Sequence, residues 1–150
     1  GEHGLAQLLL EDAVTLVAGL LVGDLGRLLQ VLVGEGGDAV LVHFTQTIRD
    51  QIRKYDILAR FGGEEFVIQF FDCTIAKCVD MLNRVRNKLV ESPCITGGRT
   101  INYTFSAGLS SLDEISPAEP IERMIEMADK RLYHAKESGR NRFVTESAAE

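Results

Sequence analysis

The spacing of apolar residues along the chain predicts three long helices. In each of three segments the apolar positions recur three and four residues apart, which is the spacing of one helical face. The helices are predicted at Asp38–Ile52, at Thr74–Val90 and from Ser116 to Lys136. In the third, Ser116 and Glu119 form a capping-box pattern with Pro117 at the first helical position, so the helix is expected to begin there. Gly139 is expected to end it.

Shorter apolar runs predict the strands of a sheet. A continuous apolar run suits a strand covered on both faces, and alternation suits a strand with one covered face. Strands are predicted at Thr15–Gly23, in a hairpin over Asp56–Phe71, at Thr100–Leu109 and at Asn141–Val144. The hairpin turns at Gly62 and Gly63, because adjacent glycines accept positive φ and let a backbone or a ligand approach closely. The segment Ser92–Gly98 is predicted as a loop.

The order of these elements predicts the fold class. A further short helix is predicted at Leu5–Val14, so the chain reads helix, strand, helix, hairpin, helix, strand, helix. This order favours an α/β (α+β) fold, in which a central mixed sheet of five strands has helices on both faces. The 150 residues fit a single domain with a core of its own, and residues 145–150 are interpreted as a tail.

The charge of the chain limits its ligands. With 16 basic and 22 acidic residues the net charge is −6, which argues against the broad cationic face that non-specific nucleic-acid binding needs. A phosphate-bearing ligand must therefore be small and contacted by a local basic cluster. The apolar share of 45% and the charged share of 25% are those of an ordinary soluble globular protein.

The positions of the cysteines and histidines give little support to a metal or histidine-based site, and the apolar runs do not predict a membrane span. Cys73, Cys78 and Cys94 lack metal-site spacing and are expected to be reduced, partly buried thiols in a cytosolic protein. The three histidines are scattered, which gives little support to a zinc or histidine-based site. The apolar run Val14–Val22 is far shorter than a membrane span and follows no cationic segment. Neither membrane insertion nor a signal peptide is expected.

Acidic side chains follow the glycine turn and one strand end. Glu64 and Glu65 come directly after Gly63, and Asp24 follows the first strand at its carboxyl end, where ligands bind in α/β sheets. Hard divalent cations prefer oxygen ligands, so these carboxylates suit a magnesium-nucleotide site. The alternatives are an ordinary solvated acidic hairpin for the two glutamates and a helix N-cap for Asp24.

Three short motifs occur in order along the chain. Gly62–Phe66 reads GGEEF, Thr104–Gly108 has the form T-x-S-x-G, and Ala128–Asn141 has the form AD-x-x-x-Y-x-AK-x-x-GRN. They resemble the signature, a strand and the closing pattern of the GGDEF domain family, the bacterial diguanylate cyclases, in which GGEEF is a common form of the signature. The resemblance covers residues 21 to 144, and it implies the nucleotidyl-cyclase-like fold of that family.

The resemblance also implies a reaction and the residues that serve it. Proteins of this family condense two GTP molecules into cyclic di-GMP, and each half of a homodimer brings one GTP with its magnesium ions. The matched positions are Gly62, Gly63, Glu64 and Glu65 at the catalytic turn, Asp24 and Glu64 for the metal, and Asp38, Lys136 and Arg140 for the substrate. Lys136 and Arg140 stand at one helix end, so both can point toward a phosphate. The alternative is a solvated helix terminus favoured by the helix dipole.

The segment between Asp24 and Asp38 departs from the family pattern D-[IL]-D-x-F-K-x-[IVL]-N-D-x-[YF]-G-H-x-x-G-D. The first and last acids of the pattern can be matched to Asp24 and Asp38 only if a short deletion is allowed. Gly26 replaces the second Asp of the pattern, and neither its Phe-Lys pair nor its guanine-reading Asn is present. A buried polar group left unpaired costs ~1–3 kcal/mol, so weak or absent GTP turnover is expected. The family opening D-x-L-T-G-L-x-N-R is also missing, so residues 1–14 are interpreted as a shortened N-terminal helix.

A second set of residues resembles the RxxD inhibitory site of the family. Arg53-x-x-Asp56 precedes Gly62 by the spacing of that site, and Arg84 falls in the following helix, where a second arginine often completes it. Arginine binds phosphate bidentately and stacks on guanine, while a carboxylate accepts from guanine N–H groups, and both match cyclic di-GMP. The alternative is a structural ion pair between Arg53 and Asp56 at a helix-to-strand junction.

These matches favour a cyclic di-GMP-binding regulatory module with impaired catalysis. Intact Glu64 and Glu65 leave an active diguanylate cyclase with product inhibition as the alternative, and a dimerisation or docking domain that binds no nucleotide is a third. A homodimer is implied only if the chain is an active cyclase. In each case the chain is expected to be a cytoplasmic piece of a larger signalling protein with an upstream sensor or a downstream output domain.

Overall fold

A five-stranded mixed sheet forms the centre of the protein. The computed structural model describes residues 14–21, 36–62, 65–120 and 122–147. In chain order its elements are β1 (Val14–Leu21), α1 (Gly36–Arg49), β2 (Ile57–Gly62), β3 (Glu65–Phe70), α2 (Ile75–Glu91), β4 (Cys94–Thr96), β5 (Arg99–Ile101), β6 (Thr104–Ser111), α3 (Glu122–Glu137) and β7 (Phe143–Val144). The sheet has the order β2-β3-β1-β6-β7, in which β6 and β7 are parallel and the other neighbours are antiparallel.

Most elements predicted from the apolar pattern are confirmed. The first strand, the signature hairpin, the second helix and the short final strand are all present, and Thr74 caps α2 by accepting from the Lys77 N–H. Gly139, with a φ of 125°, follows the end of α3 as predicted. The helix predicted at Leu5–Val14 lies outside the described residues except for Val14, which begins β1. Among the described residues no helix is long and apolar enough to cross a membrane.

The two faces of the sheet are covered by different helices. Along β3 the side chains alternate, so that Phe66, Ile68 and Phe70 are buried in the main core while Val67 is buried on the opposite face. The main core also holds buried residues of α1 and α2, namely Val40, Phe44, Ile48, Cys78, Met81, Leu82, Val85 and Leu89. On the opposite face Val67 packs against Ala128 of α3. The predicted placement of helices on both faces is therefore confirmed.

Helix α3 lies directly against the backbone of β6. Ser110 donates from Oγ to the Met124 carbonyl oxygen at 2.6 Å. Gly108 leaves no space for a side chain, because a Cβ there would overlap the Ala128 carbonyl oxygen and the Leu132 amide nitrogen. This close packing fixes the position of α3, and of the candidate site residue Lys136 that α3 carries, relative to the sheet.

The third helix begins later than its sequence predicts. The structure describes it from Glu122, whereas the capping-box pattern predicted a start at Ser116. The Ser116 N–H does donate to Glu119 Oε1 at 3.1 Å, and the Glu119 N–H donates to the Ser116 carbonyl at 3.0 Å, which closes a turn. Pro120 disfavours helical φ and ψ at Glu119, so this turn does not continue as a helix. The predicted start was wrong for that reason.

A small hairpin occupies part of the predicted loop and part of the predicted strand after it. β4 and β5 pair as an antiparallel ribbon, and β6 begins only at Thr104. Gly97 and Gly98 connect them with φ values of 56° and 74°, which fit a two-residue hairpin turn. The predictions of a loop at Ser92–Gly98 and of one strand at Thr100–Leu109 were therefore wrong in part. Strands of three residues are too short to show a clear alternation.

Arg131 is a buried charge that the apolar pattern did not single out. Its Nη1 lies 2.9 Å from Glu114 Oε2 and its Nη2 lies 2.7 Å from Oε1, and Nη1 also donates to the Leu109 carbonyl at 2.6 Å. Burial alone would raise the pKa of Glu114, but hydrogen bonds from Arg131 and from the Ser111 N–H outweigh it and lower that pKa. The pair ties α3 to the end of β6.

Candidate functional site

The signature turn joins two paired strands. In the β2–β3 hairpin Gly62 is paired with Glu65, and the register shifts between Arg60 and Gly62. Gly63 and Glu64 lie outside the described residues, and so does Asp24. The hairpin is confirmed, while the roles of these three residues in catalysis and metal binding stay predictions.

Lys136 and Glu65 meet at this hairpin. Lys136 belongs to the last turn of α3, Glu65 begins β3, and Lys136 Nζ lies 3.6 Å from Glu65 Oε1. Both side chains are partly exposed. An ammonium group has three donors and can contact a phosphate that lies against the hairpin. One residue predicted for the substrate thus lies beside one predicted for the catalytic turn.

Arg140 and Asp38 are the other residues predicted for the substrate. Arg140 is exposed with a φ of 63°, and its backbone N–H donates to the Ala135 carbonyl at 2.9 Å. The next residue, Asn141, donates from its N–H to Ser106 Oγ at 3.0 Å, which ties the end of α3 to β6. Arg140 makes no ion pair with another described residue. Asp38 lies in the first turn of α1, and only its backbone is described.

Arg53 and Asp56 form an ion pair at the junction between α1 and β2. The Arg53 backbone N–H donates to Asp56 Oδ2 at 2.8 Å, Nε donates to the same oxygen at 3.2 Å, and Nη2 donates to Oδ1 at 3.3 Å. The hydrogen bond to Asp56 raises the pKa of Arg53 against the effect of burial. The Asp56 side chain is 1% exposed and that of Arg53 is 40% exposed. The structural ion pair left as an alternative by the sequence is present, and it leaves part of the Arg53 side chain facing solvent.

Two further contacts fix the Arg53 guanidinium. Nη2 donates to the Phe71 carbonyl oxygen at 2.5 Å, and the guanidinium carbon lies 4.6 Å from the centre of the Tyr55 ring. Phe71 directly follows β3, so the Arg53 side chain is linked to the signature hairpin through the backbone. Motif spacing could not reveal the Phe71 contact, because it joins residues that are distant in sequence.

Arg84, on α2, is linked to the turn that carries Arg53 through Gln51. Its Nε donates to Gln51 Oε1 at 3.2 Å, and Gln51 lies two residues before Arg53 in the turn after α1. Arg84 makes no direct hydrogen bond or ion pair to Arg53 or Asp56 within the part of the chain that the structure describes. The three residues predicted for cyclic di-GMP therefore share one region, in which two are in contact and the third is joined through Gln51.

A depression of about 460 Å³ opens beside Arg53. Three cationic residues, Arg49, Arg53 and Lys54, line it together with Asp56. In a chain whose net charge is −6, this is a local basic cluster of the kind that a small phosphate-bearing ligand needs. Motif matching did not supply Arg49 or Lys54, although their charge and their nearness to Arg53 in sequence were visible signals.

Comparison with known proteins identifies the family. The family model "Diguanylate cyclase, GGDEF domain" matches residues 33–142, which is more than half of the chain. Diguanylate cyclase A of Treponema denticola is 35% identical over 108 residues, which make up 72% of this chain. The chain spans only 29% of the length of that relative.

Solved structures share the fold. Diguanylate cyclase SiaD of Pseudomonas aeruginosa, crystallised with its activator SiaC, gives a TM-score of 0.79 at 26% identity and covers 97% of this chain and 54% of that one. The GGDEF domain of DgcB from Caulobacter crescentus, solved in complex with c-di-GMP, gives a TM-score of 0.75 at 23% identity and covers 89% of this chain and 78% of that one. With the family model and the sequence relative, these matches show that the chain belongs to the GGDEF domain family.

Proposed function

We propose that this chain is a regulatory module that binds cyclic di-GMP through Arg53 and Arg84, with Asp56 holding Arg53 in position, and has lost most GTP turnover. The observation that carries the proposal is the ordered, partly exposed Arg53 guanidinium, which three partners hold beside a basic depression. A preorganised arginine loses little conformational entropy when a ligand binds.

The chemistry of the region matches the ligand. Cyclic di-GMP presents two phosphates and two guanine rings, and a guanidinium both forks onto phosphate oxygens and stacks on aromatic faces. Arg53 and Arg84 supply two such groups, and Arg49 and Lys54 add positive charge around the depression. Because both Asp56 oxygens contact Arg53, we assign Asp56 the role of positioning that arginine. The similar DgcB domain, which was solved with c-di-GMP, supports this class of ligand.

The loss of turnover rests on the altered sequence between Asp24 and Asp38. Gly26 takes the place of a second acid, and no Asn stands where the family reads guanine. The magnesium site is assigned to Asp24 and Glu64, which lie outside the described residues. A GTP molecule would therefore lack part of both its base contacts and its metal contacts.

An active diguanylate cyclase is the second candidate, and the contact between Glu65 and Lys136 favours it. The two charges lie 3.6 Å apart at the signature hairpin, where a cation can contact a triphosphate. If Asp24 and Glu64 bind magnesium there, the ion would neutralise phosphate charge. Such a cyclase would act as a homodimer. For either candidate, we propose that the chain works within a longer signalling protein that carries a sensor or an output domain.

Replacing Arg53 tests the binding proposal. By isothermal titration calorimetry, Arg53→Ala is expected to weaken cyclic di-GMP binding by about 10- to 100-fold, because charge-assisted hydrogen bonds to phosphate are lost. Arg84→Ala is expected to weaken it as well, and since the Arg84 side chain is exposed and hydrogen-bonds only Gln51 among the described residues, that variant should fold normally. Arg123→Ala, which removes a partly exposed arginine paired with Glu119 and Glu126, is the matched control. Unchanged affinity in both Arg53→Ala and Arg84→Ala would refute the assignment.

A turnover assay separates the two candidates. With GTP and magnesium, the chain is expected to form no more cyclic di-GMP than Glu64→Ala does, because the guanine and metal contacts are incomplete. Product is measured by chromatography over a time course. Turnover in the unmodified chain that Glu64→Ala abolishes would show that the second candidate is correct.

A further inference from the structure

Two cysteines lie side by side at the start of α2. Cys73 Sγ and Cys78 Sγ are 3.3 Å apart. Thr74 caps the helix between them, so Cys73 immediately precedes the cap and Cys78 lies in the first turn. In this arrangement the residues on either side of a helix cap contact each other, as in a hydrophobic staple. Here both members carry a thiol, which adds chemistry to the packing.

The two thiols have different access to solvent. Cys73 is partly exposed, whereas Cys78 is buried in the main core with 1% exposure. Burial raises the pKa of the Cys78 thiol, and its hydrogen bond with Cys73 raises it further. A small oxidant therefore meets Cys73 first, and Cys78 is held within reach of whatever forms on it.

We propose that Cys73 and Cys78 are a redox-modifiable dithiol that a peroxide converts to an intramolecular disulfide. The Cys73 thiolate attacks one peroxide oxygen and the O–O bond breaks. Cys73 becomes a sulfenic acid, and the hydroxide that leaves takes up the proton lost by the Cys73 thiol to give one water. The Cys78 sulfur then attacks the Cys73 sulfur, the S–O bond breaks, and a second water leaves with the Cys78 proton. The two thiols lose two electrons in total, and the peroxide is reduced.

The disulfide requires only a small movement. A disulfide has an S–S distance of about 2.0 Å, so the sulfurs must approach by about 1.3 Å from their present separation. Cys78 is anchored in the core, so Cys73 is the residue that shifts. It belongs to the non-helical segment between β3 and α2, in which Asp72 has a φ of 50°. A dithiol reductant would reverse the reaction by thiol–disulfide exchange.

The same segment holds Arg53. The Phe71 carbonyl, two residues before Cys73, accepts from Arg53 Nη2 at 2.5 Å. A shift of Cys73 displaces that carbonyl and loosens the guanidinium, so oxidation is expected to weaken cyclic di-GMP binding by up to about tenfold. This second effect rests on the proposed function, whereas formation of the disulfide does not.

Hydrogen peroxide treatment followed by alkylation and mass spectrometry tests the proposal. The reduced chain should take up three iodoacetamide groups when unfolded, one for each cysteine. After oxidation it should lose two hydrogens, take up one group at buried Cys94, and yield a cross-linked Cys73–Cys78 peptide that dithiothreitol releases. Three alkylated thiols after oxidation, or oxidation of Cys73 to a sulfinic acid without the cross-link, would overturn the proposal.

Two variants and a titration complete the test. Cys73→Ser changes a partly buried residue at the margin of the main core and should abolish the cross-link. Cys78→Ala should abolish it without placing a polar group in the core. The affinity for cyclic di-GMP is then compared between the oxidised and reduced chains. A cross-link with no binding in either state would refute the proposed function alone. A cross-link with equal binding in both states would refute the link to Arg53 alone.

Discussion

Replacing Gly108 by alanine is expected to destabilise the protein by about 3 kcal/mol, a large part of the 5–15 kcal/mol that typically holds a domain folded. The added Cβ would overlap the Ala128 carbonyl oxygen and the Leu132 amide nitrogen of α3. Those atoms belong to helix backbone, so they cannot rotate away as a flexible side chain would. Helix α3 must move off the sheet, and its contacts with β6 are lost. Urea unfolding followed by circular dichroism measures the change.

Gly97→Asn is the control for the Gly108 variant. Gly97 has a φ of 56°, and a Cβ there would meet nothing within 4 Å. Asparagine tolerates this left-handed conformation better than other residues do, so its cost should stay below about 1 kcal/mol. If Gly108→Ala unfolded at the same urea concentration as Gly97→Asn, the close packing of α3 on β6 would be refuted.

Removing the Glu114 carboxylate is expected to cost about 3 kcal/mol of stability, because Arg131 would be left as a buried charge without its ion pair. The Arg131 side chain is 3% exposed, and its Nη1 and Nη2 atoms both donate to the Glu114 carboxylate. The remaining bonds, to the Leu109 carbonyl and to Ser147 Oγ, compensate only in part. Glu114→Ala is measured by urea unfolding near neutral pH.

An exposed glutamate and the pH dependence provide the controls for Glu114. Glu126→Ala removes a surface partner of Arg123 and should change stability by less than about 0.5 kcal/mol. The pKa of Glu114 is lowered in the folded protein, so its contribution is full above its ordinary value of 4.5 and is lost as the pH falls through the lowered pKa. The difference between the unmodified chain and Glu114→Ala should shrink over that acid range. A difference that stayed constant with pH would show that the charge of Glu114 is not its cause.

Local pattern was sufficient to predict the main elements. The two glycines of the signature placed the hairpin, and the apolar stripe of α2 placed that helix to within a residue at each end. The β4–β5 hairpin was missed because three-residue strands give almost no periodic signal. The start of α3 was predicted too early because the capping contact at Ser116 forms in a turn that Pro120 then stops. At Ser116 local geometry overrode a capping pattern that is present, whereas the β4–β5 hairpin offered almost no pattern.

For the site residues, a contact between sequence neighbours could be predicted, but contacts between residues distant in sequence could not. The pairing of Arg53 with Asp56 could be expected from their spacing, and it is present. Its anchoring by the Phe71 carbonyl joins residues 18 positions apart and could not be read from the motif. Likewise, Lys136 was matched to a phosphate contact, but its position beside Glu65 depends on the packing of α3 on the sheet. Sequence motifs thus selected the candidate residues, while tertiary packing determined which residues they contact.

Under the proposed function, Arg53 and Arg84 still bind cyclic di-GMP, whereas the turn at Gly62 and Gly63 no longer binds GTP. A crystal of the chain grown with both cyclic di-GMP and a non-hydrolysable GTP analogue with magnesium tests this directly. The account predicts dinucleotide density with phosphates against Arg53 and Arg84, and no triphosphate at Gly62 and Gly63. A triphosphate bound at the glycine turn, with no dinucleotide at Arg53, would contradict it.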